Sequence, residues 1–191
     1  VTTRSSRTTE QNGENMPQQP VSFEAYPVDR FIEVIKAWIT HSWPITAAEA
    51  RNIYESLGYS VDSEDPEMFV SPFAGGEADS YYVTVKGLVS AVDIAVARPC
   101  NAGEEEDFSA AIVSAYDAFC QAINSHYKNM ISAIQSEAGS TEWTFTSDVE
   151  LEVSVWNRSV SVCIRSPYMT QLRREEREMG LASYDDILED D

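Results

Sequence analysis

The chain has 191 residues and 21.3 kDa, and its 13 Lys and Arg face 32 Asp and Glu, a net charge of −19 with a pI near 4.3. Such a surplus argues against nucleic-acid and anionic-membrane partners, because both are held mainly by Lys and Arg. No apolar run approaches the roughly 20 residues that span a bilayer, and 43% hydrophobic residues supply one core at this length.

Residues 1–20 are Thr, Ser, Gln, Asn and Pro with almost nothing to bury, so a disordered tail is expected, and Met16 within it is an alternative start. The two arginines there have no apolar segment behind them, so no signal peptide is read. An acidic tail closes the chain over 185–191, leaving one domain over 21–184.

A first helix is predicted from Asp29 as N-cap, with Phe31, Ile32, Val34, Ile35, Trp38 and Ile39 on one face, and Pro44 stops it. Thr46-Ala-Ala-Glu49 is a capping box that opens a second helix, which Gly58 ends. The period then changes to two. Strands are predicted at Tyr59–Val61, Met68–Val70, Ser80–Lys86 and Leu88–Arg98, with an acidic turn around Pro66. In the third strand Tyr81, Val83 and Val85 share the core face, which turns Tyr82 outward; in the fourth, Val92, Ile94 and Val96 share a face.

A long helix is predicted over Asp107–Ser136, its start marked by Glu104, Glu105, Glu106 and Asp107, with a break near 125–129. Three strands follow at Glu142–Thr146, Val149–Val155 and Val160–Ile164, the last two joined at Asn157-Arg158. A final helix starts at Pro167 and ends at Gly180. The expected architecture is α+β, an antiparallel sheet of six or seven strands with helices packed on one face, in the order α-α-β-β-β-β-α-β-β-β-α.

Motifs for catalysis are missing. The chain has no GxSxG, HExxH, P-loop or GxGxxG pattern, and only two histidines, His41 and His126. Cys120 and His126 are six apart in the expected helix, on opposite faces. Cys100, Cys120 and Cys163 form no CxxC pair and read as small apolar residues in a reducing cytoplasm. The acids around Pro66 lack the Gly and bidentate Glu of a calcium loop. Neither metal nor cofactor is expected, and Glu150 and Glu152 read as the solvent side of their strand.

Aromatic residues say more. Trp156 occupies the outward phase of its strand, as Tyr82 does in this reading, and an exposed aromatic rimmed by acids has the composition of a binding hot spot. Residues 62–107 contain eleven acids and only Lys86 and Arg98 as basic residues, a field that would steer a basic partner. The candidate contacts are Tyr82, Trp156, Asp62, Glu64, Asp65, Glu67, Glu77 and Asp79.

Four stretches carry a family likeness: WITHSWPITAAEARNIYESLGY, SYYVTVKGLVSAVDIAVARP, DAFCQAI and EWTFTSDVELEVSVWNRSVSVCIRSP. Together they resemble an actinobacterial domain family of unknown function, for which no catalytic residues carry over. The element order is also similar to that of YbjN-like and secretion-chaperone-like domains, and this likeness implies protein binding and possible dimerisation. The resulting expectation is a non-catalytic cytoplasmic protein-binding module for a basic protein partner, an immunity protein for a secreted toxin or a secretion chaperone. A small carboxylate- or metal-dependent hydrolase and a structural homodimer are the alternatives.

Overall fold

The computed structural model describes residues 22–180, so the tails expected over 1–20 and 185–191 lie outside the described residues. The first half of the domain contains β1 (Glu24–Ala25), α1 (Val28–Ile39), α2 (Ala47–Ser56), β2 (Ser60–Val61), β3 (Met68–Val70), β4 (Ser80–Val85), β5 (Leu88–Ala95) and β6 (Ala97–Arg98). The second half contains α3 (Glu105–His126), β7 (Ile131–Glu137), β8 (Ser140–Phe145), β9 (Glu150–Trp156), β10 (Ser159–Arg165) and α4 (Pro167–Glu178). Eight strands make one antiparallel sheet in the order β2-β3-β4-β5-β10-β9-β8-β7, and β1 pairs separately with β6. The fold is α+β.

Local chemistry explains several elements directly. In α1 the six apolar residues of the predicted stripe are all buried. The helix begins two residues earlier than expected, with Pro27 at the N-cap, so Asp29 lies in its first turn, where a negative charge meets the positive end of the helix dipole. At α2 the Thr46 Oγ1 accepts from the Glu49 N–H at 3.3 Å and the Glu49 carboxylate accepts from the Thr46 N–H at 2.8 Å. Both free donors are thereby satisfied. Gly58 stops the segment at φ +86°, a conformation costly for any residue with a Cβ.

The core lies between one face of the sheet and helices α1 to α3. Val92 and Ile94 of β5, Val162 and Ile164 of β10, Leu151 and Val153 of β9, and Trp143 and Phe145 of β8 are all buried there. Phe31 of α1 stacks on Phe119 of α3 with ring centroids 3.8 Å apart. The Trp143 indole donates to Asn124 Oδ1 at 2.8 Å, which ties α3 to β8. Tyr54 donates to the carbonyls of Tyr81 and Asp93, and Tyr59 to that of Ala95, so these two hydroxyls fasten α2 and β2 across the sheet.

Two expectations are corrected. The long helix ends at His126, and 131–137 form strand β7 instead of further helix. Tyr127 accepts the N–H groups of Met130 and Ile131 in a tight turn, and Ala138-Gly139 returns the chain from β7 into β8, with Gly139 at φ +78°. The face assignment of β4 is inverted. Tyr82 is 6% exposed and packs towards Phe69, whereas Tyr81, Val83 and Val85 are 39%, 45% and 38% exposed. Register decides this: Tyr82 pairs with Val92, a core residue of β5, so it must share that face.

Candidate functional site

The second face of the sheet is only partly covered. Strand register places Met68, Tyr81, Asp93, Cys163, Glu152 and Glu142 side by side across six strands of this face. An adjacent row holds Val83, Ala91, Arg165, Glu150 and Thr144. The two rows thus combine aromatic and aliphatic side chains at the β4 end with carboxylates around one arginine in the middle.

Arg165 organises the carboxylates. Its guanidinium lies 2.7 Å from Glu150, 2.6 Å from Glu152 and 3.4 Å from Glu142. Helix α4 is fixed over the same cluster from above: Arg173 meets Glu142 at 3.0 Å and also bonds Glu150, Arg177 lies 3.5 Å from Glu142, and Arg174 lies 3.1 Å from Asp148. Ser166 caps the helix by accepting from the Met169 N–H at 3.2 Å. Within α4 only Thr170 is buried, so this helix is held chiefly by charge and not by an apolar seam. Glu150, expected on the solvent side, is 2% exposed because α4 covers it. Its strand phase was right, but the face it points to is not open there.

Electrostatics distinguish the acids of this face. Burial raises the Asp93 carboxyl to about 6; Arg165 opposes the shift and Glu152 adds to it. Burial also acts to raise Glu152, but the hydrogen bond and charge of Arg165, aided by the Ser154 and Ser140 hydroxyls, hold it below the usual carboxylate range. The Cys163 thiol is pushed up to about 11, first by burial, and so stays protonated near neutrality. Tyr81 is raised above an ordinary phenol, chiefly by the Asp93 charge beside it.

Exposed apolar groups continue this face. Leu88 is 41% and Tyr168 56% exposed, and with Val85, Trp43 and Pro44 they border a groove of about 350 Å³ at the foot of β4. Trp156 is 65% exposed, as its strand phase predicted, and donates to Ser161 Oγ at 2.6 Å.

The expected acids have mixed fates. Glu64, Glu67 and Glu77 are exposed. Asp62 instead accepts from the N–H groups of Glu64 and Asp65, and Asp65 from that of Glu67, so both build the turn. Asp79 accepts from the Ser71 N–H at 2.9 Å and pins the β3–β4 loop. Tyr82 faces the core and is no contact on the open face. Sequence reading missed Tyr81, Asp93, Glu142, Glu152 and Arg165. The signal was there: V-D-I, L-E-V and C-I-R each place one polar side chain opposite an apolar phase. Only strand order shows that these positions converge.

His41 lies 3.9 Å from Glu49, and the His126 ring bonds the Ala122 carbonyl at 2.9 Å. Among the described residues no group of three His, Cys, Asp or Glu is placed to hold a metal ion, the three cysteines are unpaired, and no helix is long and apolar enough to cross a membrane. No curated protein and no solved structure matches this chain. The profile of a family of unknown function, DUF6301, matches residues 29–166, which include every strand of the large sheet, and the chain belongs to that family.

Proposed function

We propose that this protein is a non-catalytic binding module that holds a basic polypeptide on the partly open face of its sheet. One observation carries the reading: the carboxylates of this face already bind the arginines of α4, while the neighbouring Tyr81 and Val83 stay exposed and Asp93 beside Tyr81 is only partly buried. A second basic segment with apolar side chains fits beside α4, its cations towards Asp93 and Glu152 and its apolar groups on β4. The net charge of −19 would speed the encounter and make it salt-dependent.

An immunity protein that neutralises a basic toxin, or a chaperone that shields a basic secretion cargo, would use such a face. The likeness in element order to YbjN-like and secretion-chaperone-like domains agrees with this, and we place the protein in the cytoplasm, where free thiols persist. The test is capture from the native host with wild-type protein and with Val83→Lys, at low and high salt. Wild type should retain one dominant basic polypeptide at low salt, and its affinity should fall at least ten-fold in the variant. Retention of nothing at either salt, or equal retention by Val83→Lys, refutes the reading.

A further inference from the structure

Helix α4 meets the sheet mainly through charge. On the sheet Glu142, Glu150 and Glu152 surround Arg165, three negative charges against one positive. Helix α4 supplies the two missing positive charges: Arg173 Nη1 bonds both Glu142 and Glu150, and Arg177, one turn further on, reaches Glu142. Its apolar hold is slight, because Met169 and Leu172 are only half-buried and Tyr168 is exposed. A helix of 12 residues is marginal by itself in water, so α4 persists only while it is seated. Its release returns water to Glu142 and Glu150 instead of stranding them, which limits the cost of opening. The span matched by the family profile holds the whole cluster and stops before α4 begins.

We infer that α4 is a displaceable occupant of this cluster, and that the partner presents a helix with two arginines four residues apart to take its place. The inference rests on the reading of this face as a site for a basic polypeptide, and it gives that polypeptide a form. Without α4 the four sheet residues keep an excess of two negative charges, so a replacement has to bring two cations. Positions four apart share one face of a helix, which is how Arg173 and Arg177 reach Glu142 together. Arginine suits the cluster better than lysine, because one guanidinium serves several acids, as Arg165 and Arg173 do. Being tethered, α4 competes at an effective concentration of about millimolar, so the free protein stays closed and a partner gains access as α4 loosens. The Arg174 and Arg177 side chains are half exposed and their pairs are screened by salt, whereas the pair of the buried Glu150 is screened less. Salt therefore loosens α4 from its C-terminal end.

Hydrogen exchange on the full chain tests this, with a synthetic peptide of residues 166–180 (SPYMTQLRREEREMG) as the probe. In wild type at low salt the amides of α4 should be protected, and high salt should speed their exchange at least ten-fold while β9 and β10 keep their protection. Arg173→Gln/Arg177→Gln should release α4 at low salt to a similar extent, and protection in β9 and β10 reports that this variant is folded. The peptide should bind that variant at least ten-fold more tightly than wild type, whose own α4 blocks the cluster. The same peptide with both arginines replaced by Gln should bind neither chain. Protection of α4 unchanged by salt and by the double variant, or equal peptide affinity for the two chains, overturns the inference. These readouts need no host partner, so an empty capture from the host alongside them would refute only the wider reading.

Discussion

Asp93 should cost the fold stability when it ionises, and replacing it by Asn should recover that loss. Its folded carboxyl titrates at about 6, whereas an unfolded Asp titrates near 3.9. Between those values the native state binds more protons than the unfolded chain, so stability falls as pH rises through the window from about 4 to 6 and stays low above it. The sign is opposite to that of a salt-bridged carboxylate. A shift of roughly two units at about 1.4 kcal/mol per unit gives just under 3 kcal/mol. Because the side chain is not wholly buried, solvent screening reduces this to on the order of 2 kcal/mol. Asp93→Asn keeps the shape and removes the ionisation, so the variant should match wild type near pH 4 and exceed it by that amount at pH 7.5. For a domain of this size the gain is roughly 4–8 °C in Tm. Urea denaturation of both proteins from pH 4 to pH 8 measures it. Equal stability at pH 7.5, or a variant weaker at both ends, refutes the reasoning. The cost arises because Asp93 is partly buried in the sheet beside Glu152, with Arg165 offsetting only part of it.

Arg165→Ala should be among the most damaging single changes, costing about 3–5 kcal/mol, because it leaves Glu150 and its neighbours without their central partner. Arg174→Ala, whose pair with Asp148 is half exposed, should cost less than about 1 kcal/mol, and chemical denaturation compares the two. Trp143→Phe should cost about 2–4 kcal/mol, combining lost volume in the core with loss of the hydrogen bond to Asn124. Trp38→Phe should cost less by about the value of that bond, because the buried Trp38 Nε1 has no partner among the described residues, and thermal melts should rank the pair in this order.

What the sequence determined by itself is local. The Thr46–Glu49 box, the α1 stripe and the Pro167 start of α4 each need only a few neighbouring residues, and all three form as read. The alternation of β5, β9 and β10 was legible for the same reason, and so was the outward phase of Trp156. Tertiary structure decided the rest. S-Y-Y-V-T-V carries bulky groups in both phases, so only pairing with β5 could choose between Tyr81 and Tyr82. The segment after Tyr127 has apolar residues that suit a helix or a strand, and pairing with β8 selected the strand. The polar face follows the same rule. Asp93, Glu152 and Arg165 lie far apart along the chain, and hydrogen-bonded strand order made them neighbours, while α4 determined that Glu142 and Glu150 are covered.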